Sequence, residues 1–448
     1  MPRLIGPGFL TVLTVAALLV SGSQALASHV DCGDVITQDT TLDSDLIDCP
    51  GDGLVIGADG VTLDLNGHTV DGDGDPRPRR GRDTGIVNGR FDNYSGQEAG
   101  HDGVTIRGGT VRGFAHGVQV NIADRNSLLQ LRLYDNSGFG GIVTSLMSNG
   151  RIEGNHALDN NSTGIAVYEP EGRTTITGNV AGRNAGYGIE LAGGVAGDRL
   201  EDNVTFGNGA NGFFVLWARN LLIRGNRSFA NRGTGMSFFE GGENHVDGNR
   251  VWDNGSAGIN MGGANRNRVE RNTVFRNGPT ASASNHGWGG ITVQGGDDHG
   301  IVGNRVFENG GHGGIVVAAE TGGNAVVSND VRRNQGHGIF LETLYEDEGG
   351  TVVAGNHSIR NGEDGIHVSE PVRDADTHFQ VSELRGNRTD RNGDDGIDVR
   401  SDNTSLVANR ARWNFDLGIE AVAGVPDGGG NRALGNGNPL QCENIFCR

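Results

Sequence analysis

Residues 248–261 read G-N-R-V-W-D-N-G-S-A-G-I-N-M, and residues 225–238 read G-N-R-S-F-A-N-R-G-T-G-M-S-F. The shared skeleton is Asn, four residues, Asn, a short gap, then Gly followed by an apolar residue. Working outward, the Gly-apolar landmark recurs from Gly117 to Gly418, mostly at steps of 22–24 residues. Three longer steps of 32, 27 and 31 residues locate insertions at 279–288, 345–350 and 371–379. Twelve Asn pairs, from Asn155/Asn160 to Asn431/Asn436, keep a separation of five.

This period selects an architecture. About 23 residues holding three alternating apolar triplets make three short strands and three turns. One such unit cannot bury its apolar face alone, whereas stacked copies share a continuous core and build parallel sheets. Gly accepts the positive φ of tight corners. Asn tolerates a left-handed turn, and its amide can bond the Asn of the rungs above and below. Leucine-rich and helical repeats are excluded, because neither L-x-x-L-x-L nor a 3.6-residue period occurs. The expected fold is therefore all-β, a single parallel β-helix solenoid with three short strands per rung and a cap at each end.

Residues 1–27 read as a secretory signal, with Arg3 before an apolar run and Ala25-Leu26-Ala27 as the cleavage site. The expected divisions are a signal at 1–27, a disulfide cap at 28–51, the solenoid at 52–425 and a second disulfide cap at 426–448. Four cysteines allow three pairings. The local pairs Cys32–Cys49 and Cys442–Cys447 are favoured, because the couples lie at opposite ends of a long array. A secreted or periplasmic location is expected, with no membrane span once the signal is removed.

The chain carries a net charge of −19, and all its basic side chains are Arg. A basic nucleic-acid face is not expected from this balance. A bare polyanionic substrate is also disfavoured unless calcium bridges it. Asp71, Asp73 and Asp75 have the spacing of a calcium loop, but the distal Glu is missing, so a solvated loop is the plainer reading.

V-T-L-D-L-N-G-H-T-V-D-G (61–72), V-T-I-R-G-G-T-V-R-G-F-A-H-G-V (104–118) and the Asn-paired array resemble the secreted right-handed parallel β-helix repeat proteins. That group includes NosD-like periplasmic proteins and is related in architecture to pectate lyases and mannuronan epimerases. The resemblance implies a right-handed coil over nearly the whole mature chain. It also implies action on, or binding of, an extracellular polysaccharide. N-G-D-D-G-I-D-V (392–399) is similar to the paired-Asp motif of polygalacturonases, but the Gly-His-Gly and Arg-x-Lys motifs do not follow it. The Asp-Pro-His-Asp motif of mannuronan epimerases is absent. The NosD likeness suggests copper, for which His312 and His337 are the candidates.

In a stacked solenoid, equivalent positions lie about 4.8 Å apart, so residues can be read down columns. The columns around the landmark Gly gather His337, Asp364, His367, Asp394, Asp395 and Asp398 on late rungs, with Glu363 beside them. The insertions at 345–350 and 371–379 belong to these rungs. Carboxylates about 5 or 10 Å apart bracket glycosidase spacings. If the protein is an enzyme, a hydrolase, lyase or epimerase is expected here, with His367 as acid/base and the Asp cluster holding substrate or Ca²⁺. The alternatives are a solvated acidic turn column on a non-catalytic surface β-helix, or a NosD-like metal-accessory protein. A further column, Phe206, Phe229, Trp252, Phe275 and Phe307, is read as packed inward or under a corner; if outward, it would be a stacking platform for sugars.

Overall fold

The computed structural model describes residues 29–74, 83–92, 96–194, 197–278, 289–318, 321–342, 350–370 and 382–448. The signal at 1–27, Asp75 and the insertions at 279–288 and 371–379 lie outside the described residues, as does 345–350 except for Gly350. No helix occurs among the described residues. Three parallel sheets of 17, 16 and 16 strands run the length of the chain. Each rung contributes one strand to each sheet, and each strand pairs with its counterpart one rung on. Thus His337–Leu341 in the first sheet is followed by Val352–Ala354 in the second, His357–Ile359 in the third and then Ile366–Val368 in the first.

Sequence alternation dictates which side chains fill the interior. In Ile366–Val368, Ile366 and Val368 are buried while His367 faces out. In Arg151–Glu153 only Ile152 points inward. Apolar residues therefore stack in columns, Ile339 on Ile366 on Ile397 on Ile419. Each such residue is fully buried, which stabilises by about 2 kcal/mol per side chain. The long steps leave register untouched: Asn260 pairs with Thr292, and His367 with Asp398.

Corners depend on Asn in a way that differs from the expected one. The left-handed residue is not Asn but the one before it: Asp253 and Arg276 precede Asn254 and Asn277 at φ 55° and 54°. The Asn side chain turns inward instead. Asn155 Nδ2 donates to Leu128 O at 2.8 Å and to Asn179 Oδ1 at 3.0 Å, and Asn155 Oδ1 accepts the Leu131 amide at 2.9 Å. Buried amides so satisfied stitch three rungs together. Nor do the landmark glycines supply positive φ. A Cβ on Gly365 would lie 2.5 Å from Gly396 O and 2.6 Å from Asn392 Nδ2, so close approach to the Asn ladder is what demands glycine there.

Both expected disulfides form, Cys32–Cys49 and Cys442–Cys447. The stapled ends are themselves rungs: Asp34–Ile36 pairs with Leu54–Ile56, and Cys442 aligns with Ile419. Phe206, Phe229, Trp252, Phe275 and Phe307 correct the inward reading. They stand on the outer face of the third sheet, two residues after an exposed or half-buried position and one after a buried one. Parity decides this, since the interior position of each triplet already holds Thr205, Ser228, Val251, Val274 or Val306.

Candidate functional site

The first sheet presents its outer face through the residue after each landmark isoleucine. On late rungs this column reads Phe340, His367, Asp398, Glu420 in register. The position before the landmark Gly supplies His337, Asp364 and Asp395 on three successive rungs. Parallel pairing of short strands therefore brings together residues that are 27 and 31 apart in the chain.

His367 is the centre of the group. Its Nδ1 lies 3.0 Å from Asp364 Oδ2 and 3.2 Å from Asp398 Oδ2. His337 stacks on it with ring centroids 4.5 Å apart, and Phe340 at 5.5 Å. His337 Nε2 lies 2.9 Å from Glu363 Oε2 and its Nδ1 3.3 Å from Asp364 Oδ2. Arg400 Nε approaches Asp398 Oδ1 at 2.8 Å, and its guanidinium donates to Glu420 at 3.1 Å. Sequence columns had missed Arg400. Its signal was alternation, since it lies two residues after Asp398 on the same outer face.

Two of the acids also serve the backbone. Asp364 Oδ1 accepts the Asp395 amide at 2.8 Å, and Asp395 Oδ1 accepts the Leu417 amide at 2.6 Å. These side chains close a corner from one rung to the next, as Asn does elsewhere. Asp364 and Asp395 are buried, while Asp394 and Glu363 are exposed.

The electrostatics follow from this packing. Burial disfavours the imidazolium of His367, but Asp364 and Asp398 outweigh it and raise its pKa to about 9. Asp364 is held well below the carboxylate range: burial opposes this, but His337, His367 and the Asp395 amide prevail. His337 is raised by Asp364 and Glu363 against its own burial. Asp395 is pushed up, first by burial and then by Glu420, Asp364 and Asp394, against the pull of the Leu417 amide. Asp394 is also raised, by burial and by its carboxylate neighbours.

All six predicted site residues thus fall in one patch. His312 stands beside it, its ring edge on Phe340 at 5.8 Å. Ligand atoms of His337, Asp364 and His367 lie within 4.8 Å of one another, as do those of Asp364, Asp394 and Asp395 and those of Asp395, Asp398 and Glu420. The arrangement can move protons or hold a cation. A cavity of about 600 Å³ lies at the opposite end of the molecule, beside the Arg90–Asp52 ion pair and His101. Its sheet-facing wall is Val55 and Val87, which carry no chemistry.

A family described as Right handed beta helix region matches residues 40–226. One described as Periplasmic copper-binding protein (NosD) matches residues 194–336 and so ends one residue before His337. No curated protein matches. Among solved structures, the chain is similar to the mannuronan C-5 epimerase AlgE4 A-module of Azotobacter vinelandii. The two are 19% identical over 69% of this chain and 77% of that one, with a TM-score of 0.44. It is also similar to PfbA, a surface adhesin of Streptococcus pneumoniae, 12% identical over 70% of this chain and 83% of that one, with a TM-score of 0.45.

Proposed function

We propose that this chain, a right-handed β-helix repeat protein, acts on an extracellular polysaccharide by proton transfer from His367. One observation carries the reading. Nδ1 of His367 is held by Asp364 and Asp398, so Nε2 is the nitrogen left to face a ligand; among the described residues nothing bonds it. The imidazole is locked in orientation by stacking against His337 and Phe340 of the preceding rung and carries a proton at neutral pH. Such a group is a general acid.

The same chemistry favours hydrolysis over a lyase or epimerase reaction. Those reactions need a base to take a carbon-bound proton. Here His367 already bears a proton, Asp395 is pushed towards its neutral form, and Asp364 is a very weak base. Hydrolysis asks less of the base: as His367 protonates the leaving glycosidic oxygen and the C–O bond breaks, water adds to the anomeric carbon and gives its proton to Glu363 or Asp394 on the exposed rim. The two disulfides fit an oxidising, extracellular or periplasmic setting. No helix among the described residues is long and apolar enough to cross a membrane.

The test is a panel of neutral and acidic polysaccharides assayed for new reducing ends and for unsaturated products. The expected result is reducing ends without unsaturation, abolished by His367→Gln. If no glycan is turned over, the catalytic reading fails and a surface β-helix remains. Calorimetry with Ca²⁺ and Cu²⁺ separates the cation reading. The Asp364, Asp394 and Asp395 group would hold the first, and His337, Asp364 and His367 the second. Tight copper binding would move the assignment to a metal-accessory protein.

A further inference from the structure

The net charge conceals a segregation of charge by face. On the third sheet, the first outward position of successive strands reads Arg227, Arg250, Thr273, Arg305 in register. The second outward position on those strands is the ladder Phe229, Trp252, Phe275, Phe307, preceded by Phe206. The arginines are exposed. Among the described residues none of the three has an ion-pair partner. Corner arginines differ: Arg183 pairs with Asp159 at 2.6 Å and Arg276 with Asp253 at 2.7 Å.

Three physical points follow. Arg227 and Arg250 are directly paired across a parallel ladder, where like charges are unfavourable unless an anion lies across them. The rings stack on one another at centroid spacings of 5.5, 4.5, 5.9 and 4.9 Å, all within 12° of parallel. Their faces are therefore largely spent on each other, and what the half-buried Phe206, Phe229, Trp252 and Phe307 turn outward is edge, while Phe275 is buried. Aromatic edges carry the positive part of the ring quadrupole, so the strip itself favours anions. Arg250 also lies over Trp252 and Phe275 at 5.1 and 5.2 Å, which fixes its guanidinium beside the strip.

We propose that this face binds an anionic polysaccharide lying along the solenoid axis. Its sugar carboxylates pair with Arg227, Arg250 and Arg305 beside the strip of ring edges. A stiff chain with charges at regular intervals can meet the three arginines, which stand at three of four successive rungs. Single-stranded nucleic acid fits less well, because base stacking needs open ring faces. The surface is distinct from the His367 patch. The proposal shares with the proposed function only the class of ligand, and it does not depend on turnover.

The experiment measures binding of polygalacturonate, its methyl ester and single-stranded DNA to the whole protein carrying His367→Gln, so that turnover does not enter. Polygalacturonate is expected to bind, to weaken with salt, and to lose at least about tenfold in affinity in the triple variant Arg227→Ala, Arg250→Ala, Arg305→Ala. The single reversal Arg250→Glu checks the same point with minimal change to the fold and is expected to weaken binding in the same direction. Unchanged affinity in both variants, equal binding of the neutral ester, or tighter binding of DNA would overturn the proposal. Binding of the acid polymer with no activity in the wild-type chain would leave this surface standing and remove only the catalytic reading.

Discussion

Oδ2 of Asp364 lies 3.0 Å from Nδ1 of His367, while its other oxygen accepts the Asp395 amide of the next rung at 2.8 Å. One carboxylate therefore both orients the candidate acid and closes a corner of the coil. Removing it should cost the ion pair and the corner together, whereas removing the imidazole should cost the chemistry and the ion pair but leave the corner closed.

The first prediction uses that separation. His367→Gln is expected to fold, to lose turnover and to lose only the stability of the His367 ion pairs. Asp364→Ala should lose turnover and also destabilise, because a buried backbone amide is left without an acceptor, at about 1–3 kcal/mol. Denaturant titration beside the glycan assay distinguishes them. Equal stability of the two variants would contradict the double role.

The pH dependence follows from the two shifted groups. The folded pKa of His367, about 9, lies above the ordinary 6.5. Its contribution is complete below about 6.5 and is lost as pH rises towards 9, amounting to about 3 kcal/mol at most. Asp364 is shifted downward, so its contribution is present above 3.8 and is lost as pH falls below that value. Stability should thus decline between neutrality and pH 10, and the decline should shrink in His367→Gln to the part that the raised His337 and Asp395 supply. Thermal midpoints across pH, with NMR titration of the His367 ring, check both.

At Asp395 an amide should be nearly silent structurally. The Asn Oδ1 can still accept the Leu417 amide, and a neutral side chain resembles the form that burial and neighbouring carboxylates favour. Asp395→Asn is expected within about 1 kcal/mol of wild type, and Asp395→Ala about 1–3 kcal/mol below it. Loss of turnover in Asp395→Asn would show that its proton takes part.

Within the Asn ladder, Asn272→Ala removes the acceptor for the Asn249 amide at 2.8 Å and the donors to Val246 O and Asn304 Oδ1. A cost of about 3 kcal/mol is expected, concentrated on neighbouring rungs because each rung touches only the next. Hydrogen exchange should show the loss around Asn249 to Asn304 and leave the ends unchanged.

The two staples should differ in weight. Cys32 and Cys49 close a separation of 17 residues, and Cys442 and Cys447 one of 5. Chain entropy gives the longer loop the larger effect, about 3 kcal/mol. Serine replacement of the first pair is expected to fray the first rungs more than replacement of the second pair frays the last, as limited proteolysis would report.

Much of this was legible in the sequence. The Asn-x4-Asn…Gly-Ile period gives the rungs, and reading down the columns brings His337, Asp364, His367 and Asp398 together from sequence alone. The roles within that patch were less legible. Asp before Gly reads equally as a soluble turn or as a catalytic acid, and Asp364 and Asp395 are corner acceptors as well as site residues. Arg400 escaped notice because it lies past the repeat motif, although alternation places it on the same face.

By itself the sequence determined the period, the paired ends and the list of residues that share a column, because each follows from spacing along a chain with constant rise. Tertiary structure decided what the Asn side chains do at the corners, which way the aromatic column faces, which oxygen of each acid is occupied by backbone, and how the arginines and acids of the described residues divide among the faces. Those depend on contacts between rungs, where partners 22–32 residues apart meet only after the coil has closed.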